Sequence, residues 1–509
     1  MRCLIIPIPP ISMMNSRKMM MPKHRPVTVA KAHYTPSDVA MYAGNPLIEA
    51  LPPRLGSKLL RQRLTVKPNS PHVGHLSLSE REESIHTLFD IRLLSQQHLD
   101  LYYDMYSMIR YGYVHRNPVR AEVVAWSYDI ADPSVEQKEV TQPLLNDASA
   151  PTVADALFLT GFSGNGKSTM TEHLLLNLFP QVIEHTVADF DEPQVVYLKV
   201  DMPHNASRGG LISRVLTELD RVLAATSYGD PRYRDVIKKK NGDHIKLDAM
   251  VEVLITACNR HHLGLIVIDE FQNVKVASLR YRNEMLQLFD ELANQLFIPS
   301  IKIGTPDTLM IFDNARHKRR LGKPFELNRL NEPKTWERLL TMLYDFQPLA
   351  HPITRDDKID AALLHLTAAV PAFVLGLWEA TLIKAIRTGK EKMSVTLIKQ
   401  ACRERFPLLS TATRNIHHNR RGGYADLLTV QQYLAEDNNA LALKHLNQFA
   451  EKAEVKGEAA SDVIKDIDSS FNAAELNAKE RNKLLDIKKK LVEKSQAVLG
   501  PQTIEHKAT

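Results

Sequence analysis

Residues 156–178 read ALFLT, GFSGNGKST and MTEHLLLNL, which places a glycine-rich loop between a short apolar run and a helical pattern. Gly161, Gly166, Lys167 and Ser168 satisfy the phosphate-loop spacing G-x-x-x-x-G-K-[ST]. Glycines let backbone N–H groups converge on phosphate oxygens, and a helix that begins there adds a favourable dipole. We therefore expect a nucleotide site lined by Gly161, Ser163, Gly164, Asn165, Gly166, Lys167, Ser168 and Thr169.

A second apolar run, LGLIVI at 263–268, ends in the adjacent carboxylates Asp269 and Glu270. Placing two carboxylates next to each other at the end of a buried strand destabilises the fold unless a cation compensates their charge. The two motifs together predict hydrolysis of ATP with Mg²⁺ as cofactor. Lys167 would neutralise the β- and γ-phosphates, Ser168 and Asp269 would ligate the metal, and Glu270 would orient or deprotonate the attacking water.

The apolar runs alternate with helical stretches. Besides ALFLT and LGLIVI, they are VVYLKV near 195–200 and FIPSIKIG at 297–304. Short apolar strands that alternate with helices predict an α/β fold with a parallel sheet and helices on both faces. Helical periodicity also dominates 77–108, before these runs, and 334–405, after them, and the segment from Leu427 onward is helical and rich in Ala, Lys and Glu.

Two further features lie at or beyond the last apolar run. Thr305 follows it, and a polar side chain at the carboxyl edge of a parallel sheet can sense the γ-phosphate or the water. An ordinary threonine at a strand end is an equally good interpretation. Arg316, Arg319 and Arg320 form a basic cluster that could reach the γ-phosphate of a neighbouring subunit, while a solvated or DNA-facing charge run remains the alternative.

Composition narrows the class of protein. The 509 residues allow about three to four domains. Hydrophobic residues make up 44% and charged residues 24%, as in globular proteins, and a net charge of +6 is too small to prove a nucleic-acid partner. Three cysteines without a C-x-x-C pattern argue against a disulfide framework and suit a reducing, cytoplasmic compartment. No apolar run reaches the length of about 18 residues that a membrane span needs, so we expect no membrane partner.

Several segments outside the nucleotide motifs are similar to one family. They are NPLIEALPP (45–53), MIRYGYVHRNP (108–118), QVVYLKVDMPHNAS (194–207), the strand that ends in Asp269 and Glu270, and IGTPD (303–307). With these segments in this order along the sequence, the chain resembles the TnsC-type, TniB-related AAA+ ATPase regulators of transposition. The resemblance spans about residues 40–330 and weakens after Arg320.

The resemblance implies an ATP-dependent ring or filament on duplex DNA. Such an assembly receives a target-site signal from a TniQ/TnsD-type selector and activates the transposase subunits TnsA and TnsB, and ATP hydrolysis controls its disassembly. By motif position, the resemblance assigns the nucleotide and metal contacts to Lys167 and Ser168, the metal-side acid to Asp269, the catalytic acid to Glu270 and the sensor to Thr305. It also implies backbone contacts to DNA by loops that carry Arg208, Lys275, Arg280 and Arg282. Exposed surface charge is the alternative for these four residues.

Composition and periodicity, together with the resemblance, predict a domain plan. It consists of a disordered basic leader (1–40), an N-terminal helical region with the linker (41–150), the AAA+ core (151–330), a helical lid (331–422) and a helical tail (423–509). The N-terminal region, around NPLIEALPP, would contact the target selector, and the tail would contact the transposase. One departure is that the lid segment AAVPAFVLGLWEATLIKAIR (368–387) lacks the sensor arginine of many AAA+ proteins.

Other functions remain open on sequence alone. An AAA+ helicase or a motor similar to a clamp loader would share both nucleotide motifs. A small-molecule kinase is less well matched, because adjacent carboxylates and long helical extensions favour hydrolysis and assembly over transfer. A nucleotide-locked scaffold with little turnover is the fourth interpretation.

Overall fold

The computed structural model describes residues 26–70, 75–131, 154–186, 190–276, 279–306, 308, 321–407, 413, 416, 482 and 485–489. Most of the predicted leader, the polar segment before the phosphate loop and nearly all of the predicted tail lie outside these residues. Within the described part of the chain, no helix is both long enough and apolar enough to cross a membrane.

The described strands and helices are numbered in chain order. The strands are β1 (Val29–Lys31), β2 (Ala156–Thr160), β3 (Val182–Glu184), β4 (Pro193–Val195), β5 (Leu198–Asp201), β6 (Ile266–Asp269), β7 (Ser300–Ile303) and β8 (Lys323–Glu326). The helices before the sheet are α1 (Pro46–Glu49), α2 (Ser57–Leu64), α3 (Leu78–Ile85), α4 (Gln96–Tyr113) and α5 (Ala121–Ala131). Those between its strands are α6 (Lys167–Leu178), α7 (Arg208–Leu223), α8 (Tyr233–Val236), α9 (Leu247–Arg260) and α10 (Leu279–Leu296). After it come α11 (Pro333–Asp345), α12 (Asp357–Thr367), α13 (Pro371–Arg387) and α14 (Val395–Arg405).

The central sheet has five strands in the order β5-β6-β7-β2-β8. Every neighbouring pair in it is parallel. The carboxyl ends of all five strands therefore meet at one edge, which is also where the glycine-rich loop follows β2. A separate three-stranded sheet pairs β1 with β3 in parallel and β3 with β4 antiparallel.

Alternate side chains of the central strands enter two different cores. Phe158 of β2 and Ile268 of β6 pack in a cluster with α7, α9 and α10. Leu157 and Leu159 of β2 and Val267 of β6 pack on the other face with α4 and α6. Because successive residues of a strand point to opposite faces, continuous apolar runs such as ALFLT are what a doubly covered strand requires. The predicted α/β fold is confirmed.

A third core belongs to the helices that follow the sheet. Side chains of α11 to α14 surround the fully buried Trp378. Ile85 at the end of α3, Leu88 in the 3₁₀ helix His86–Asp90 and Ile91 join the same cluster. The helices before the sheet are thus divided, since α1, α2 and α4 pack on the sheet whereas α3 packs on the lid helices.

The structure differs from the sequence-based expectation in three strand assignments. The run VVYLKV supplies the end of β4 and the start of β5, so its residues serve two sheets. Neither β8 nor the small sheet was predicted. In β8 the sequence KPFE offers one large apolar side chain and its residues are partly exposed, as suits an edge strand with a proline.

Two ion pairs join α3 to the lid, one at the end of α13 and one in the connection between α13 and α14, and they differ in burial. Arg81 donates to both carboxylate oxygens of Glu391 at 2.7 and 2.9 Å, and these side chains are 7% and 12% exposed. Arg387 pairs with Glu82 at 2.8 Å, with 58% and 25% exposed. The hydrogen bond from Arg81 lowers the pKa of Glu391, with burial acting in the opposite direction.

Arg81→Met should therefore lower the free energy of unfolding by about 3 kcal/mol, because it leaves a buried carboxylate without its partner. The matched change Arg387→Met should cost less than about 1 kcal/mol. A group with a lowered pKa stabilises the fold above its unfolded-state pKa, so the Arg81→Met loss should shrink as the pH falls below about 4. Urea unfolding at pH 7 and pH 3.5 measures both, and equal losses for the two variants would contradict the assignment.

Candidate nucleotide site

The glycine-rich loop depends on backbone conformations that favour glycine. The φ angles of Gly161, Gly164 and Gly166 are +140°, +85° and +82°. A Cβ atom on Gly161 would lie 2.3 Å from the carbonyl oxygen of Leu327, and one on Gly164 would lie 3.0 Å from the Cβ of Ala372. A Cβ on Gly166 would meet open space. The loop is therefore held tightly at its first glycine and is open at its last, where α6 begins.

The two sequence motifs meet at the start of α6. The Ser168 hydroxyl donates to Asp269 Oδ1 at 2.9 Å, although the two residues are far apart in sequence. The ammonium of Lys167 donates to the carbonyl oxygens of Gly161 and Phe162 at 2.9 and 3.0 Å, so it lies inside the curve of the loop. Backbone N–H groups in the first turn of a helix have no intrahelical acceptor and are suited to bind an anion.

The oxygens of Ser168 and Asp269 are of the kind that Mg²⁺ prefers, and their contact places them at the mouth of the phosphate loop. The residues present therefore fit a magnesium nucleotide. Ser168 and Asp269 would hold the metal and the loop amides with Lys167 would hold the phosphates.

Asp269 also contacts a residue that the sequence analysis did not single out. The Lys199 ammonium of β5 lies 3.0 Å from Asp269 Oδ2, and the side chains are 20% and 6% exposed. Burial disfavours the ammonium form, but the nearby Asp269 carboxylate outweighs it, and the pKa of Lys199 is raised. The sequence does contain a signal for this ion pair, namely a lysine inside the apolar run VVYLKV. A charged side chain in a buried strand generally has a partner of opposite charge.

Glu270 lies just beyond the end of β6 with a left-handed backbone (φ +53°), and its side chain is exposed. Its N–H donates to Asp269 Oδ1 at 2.9 Å, and Gln272 donates to its carboxylate. A residue other than glycine costs about 1–3 kcal/mol in such a conformation, which persists where the surroundings enforce it. The strained turn keeps the carboxylate of Glu270 at the open edge of the sheet while Phe271 is buried.

Thr305 follows β7 at the same edge of the sheet, and its hydroxyl is 3.5 Å from that of Thr308. The central sheet places β7 between β6 and β2, so Thr305 comes from the strand between the two nucleotide motifs. This location is compatible with the predicted sensor, whose role stays a prediction.

The lid helices contact the glycine-rich loop directly. The N–H of Ala372, in the first turn of α13, donates to the carbonyl oxygen of Gly164 at 3.1 Å. Phe162 is buried among Ala368 and Val370. Arg329, which follows β8, donates to the carbonyl oxygen of Ala368 at 2.9 Å, and burial lowers the pKa of its guanidinium. The lid segment has no sensor arginine, but the structure brings Arg329 to the junction of loop and lid.

The predicted DNA-binding residues have different surroundings. Arg208 begins α7 and pairs with Glu284 of α10 at 3.3 Å, with both side chains 21% exposed. Lys275 lies in the 3₁₀ helix Phe271–Val276 after the acidic pair. Arg280 and Arg282 lie at the start of α10, and their side chains are outside the described part of the structure. Arg316, Arg319 and Arg320 also lie outside it.

Comparison with protein families identifies the region that holds the two motifs. Residues 152–312 match the family model of the AAA domain. This stretch is therefore similar to AAA domains. It contains the glycine-rich loop, Lys199, the acidic pair and Thr305. No curated protein matches the chain in sequence.

Solved structures with a related architecture are distant. The Walker-type ATPase PABY2304 of Pyrococcus abyssi is 12% identical with a TM-score of 0.34, over 66% of this chain and 84% of that one. The Aeropyrum pernix ORC1 protein, solved in complex with DNA, is 14% identical with a TM-score of 0.33, over 67% and 78%. The Thermotoga maritima RuvB Holliday junction branch migration motor is 11% identical with a TM-score of 0.30, over 53% and 71%. Similarity at this level carries no argument about function.

The glycines of the loop offer a matched pair of substitutions. Gly161→Ala should lower the free energy of unfolding by about 3 kcal/mol or more, because its Cβ would collide with a backbone carbonyl in a strained conformation. Gly166→Ala should lower the free energy of unfolding by about 1–2 kcal/mol. Its Cβ would contact no other atom, but alanine is disfavoured in the left-handed backbone conformation. Urea unfolding without nucleotide compares them, and a larger loss for Gly166→Ala would show that the loop is built differently.

Proposed function

We propose that this protein binds ATP with Mg²⁺ and hydrolyses it. The observation that carries the proposal is the hydrogen bond between Ser168 and Asp269, which joins the phosphate loop to the acidic strand end. The AAA domain match over the same residues supports it. When bound, the metal would neutralise phosphate charge. Side chains of this protein would bind the phosphate and accept the proton. Lys167 would bind phosphate oxygens and Glu270 would take the proton of the attacking water.

The wider function that we propose is an ATP-dependent switch on duplex DNA that regulates transposition. Support comes from two of the TnsC-like segments, NPLIEALPP and MIRYGYVHRNP, which lie outside the nucleotide site and contact each other. Asn45 in NPLIEALPP donates to the carbonyl oxygen of Tyr113 in GYVHRNP at 2.7 Å. Arg116 of the second segment donates to the carbonyl oxygen of Leu263 at 2.7 Å, just before β6. These two segments thus pack against each other and against the residues that lead into the acidic strand.

The proposed partners follow from the same resemblance. They are double-stranded DNA through its backbone, further copies of this chain in a ring or filament, a TniQ/TnsD-type selector and the TnsA and TnsB transposase subunits. Thr305 would sense the nucleotide, and Arg316, Arg319 and Arg320 are the candidates for a contact to the neighbouring site. We expect this activity in the cytoplasm.

Lys167→Ala should weaken binding of a fluorescent ATP analogue by at least about tenfold, because it removes a charge-assisted contact to phosphate. Glu270→Gln should leave binding within about twofold and lower the turnover of ATP by about 10²–10⁴-fold. Phosphate release, measured with and without duplex DNA, is the readout for the second variant. Unchanged turnover in Glu270→Gln would remove this residue from the catalytic role.

DNA binding can be separated from the ion pair of Arg208 by a charge swap. Arg208→Glu should weaken duplex binding, and the double variant Arg208→Glu with Glu284→Arg should restore the ion pair without returning the charge to position 208. If Arg208 contacts phosphate, both variants should bind DNA weakly and show a salt slope reduced by about one. If both variants keep the wild-type affinity and salt slope, the proposed contact is wrong.

The motor alternative predicts a different outcome with the same protein. A switch should assemble on duplex DNA when ATP is present, and Glu270→Gln should trap that assembly. A helicase or clamp loader should displace a strand or load a ring in the presence of ATP. Electron microscopy of the complex and a strand-displacement assay distinguish them, and a chain that stays monomeric with ATP and DNA would refute the switch.

A further inference from the structure

Asp269 has hydrogen-bonding partners on both carboxylate oxygens. Its Oδ1 accepts from the Ser168 hydroxyl and from the Glu270 N–H, both at 2.9 Å. Its Oδ2 faces the Lys199 ammonium at 3.0 Å. Ser168 and Glu270 are neutral donors at these atoms, whereas Lys199 brings a full positive charge. The ammonium therefore lies against the acid that would hold the metal.

The buried Asp269 carboxylate needs a positive charge beside it. Asp269 is 6% exposed, and an isolated carboxylate at that depth would be strongly destabilised. Lys199 lies on β5, the strand next to β6, and reaches along the sheet towards the end of β6. Glu172 on α6 and Asp201 on β5 also attract it electrostatically. The ammonium thus has acidic neighbours besides Asp269.

We propose that Lys199 is the countercation of Asp269 in the nucleotide-free protein, and that a divalent cation binds Asp269 only in competition with it. The inference rests on the proposed nucleotide site and adds a regulatory residue to it. A free metal ion has to overcome the ammonium with the ligands of Ser168 and Asp269 alone. A metal ion that arrives with ATP has phosphate oxygens as additional ligands. Lys199 would therefore make metal binding depend on nucleotide.

Manganese binding without nucleotide tests this directly, with Mn²⁺ as the probe and electron paramagnetic resonance as the readout. The variants are Lys199→Met and Lys199→Gln, which remove the charge, and Lys199→Arg, which keeps it. Lys199→Gln retains a polar hydrogen-bond donor in this buried position, so it is the safer variant for folding. Thermal unfolding verifies that each protein is folded before the titration.

Removal of the charge should tighten Mn²⁺ binding by about tenfold in the two neutral variants, while Lys199→Arg should bind as weakly as the wild type. The factor by which ADP strengthens Mn²⁺ binding should fall by a similar amount in the neutral variants. Unchanged or weaker Mn²⁺ binding in a folded neutral variant would overturn the proposal. The double variant Lys199→Gln with Asp269→Asn should lose the gain, and a gain that persists would place the metal elsewhere and also overturn it.

The nucleotide site is tested separately in the same preparations. Binding of a fluorescent ATP analogue to the wild type, in excess EDTA and then in excess Mg²⁺, reports the site regardless of Lys199. Nucleotide binding with no manganese effect would refute the role of Lys199 and leave the proposed function standing. A manganese effect without nucleotide binding would refute the function and leave the countercation standing.

Discussion

The carboxylate of Asp269 links three parts of the stretch that matches the AAA domain, and the arrangement of the candidate nucleotide site depends on it. It accepts hydrogen bonds from Ser168 at the start of α6 and from the Glu270 backbone, and it pairs with Lys199 on β5. Burying this group is costly without these donors. The strand order supplies them, since β5 lies beside β6 and the loop after β2 crosses the edge above β7 to reach it. Charge neutralisation in the protein and the metal binding that we propose thus involve the same carboxylate.

The lid packs directly on the phosphate loop. The start of α13 donates to Gly164, and Phe162 is enclosed by lid residues. On its other side the lid shares a core with α3, and the Arg81–Glu391 pair holds them together. A change of lid position would therefore alter the loop at Gly164 and the contact with α3 together. The lid thus contacts both the glycine-rich loop and α3, which precedes the sheet.

The sequence predicts those features that depend on local pattern. Doubly covered strands appear as apolar runs, and the loop appears as a fixed spacing of glycines, so the sheet, α6 and the two acids were identifiable. β8 was not predicted, because KPFE is too short and too polar to show the apolar pattern of a strand. The ion pairs Lys199–Asp269 and Arg208–Glu284 were not predicted, because the two residues of each pair lie on different elements, far apart along the chain. A single sequence contains no signal that joins such positions.

The segments that carry the family resemblance are interior parts of the structure. Asn45 is 2% exposed and Arg116 4%, and each donates to backbone carbonyls of a neighbouring element. Burial lowers the pKa of Arg116 to about 10, and its guanidinium lies over the Tyr113 ring. Residues buried in this way determine how the chain packs and offer little surface to a target selector. Contacts of the N-terminal region with a partner must use its exposed side chains, among which Val119, Val124 and Tyr128 at and near α5 are large and apolar.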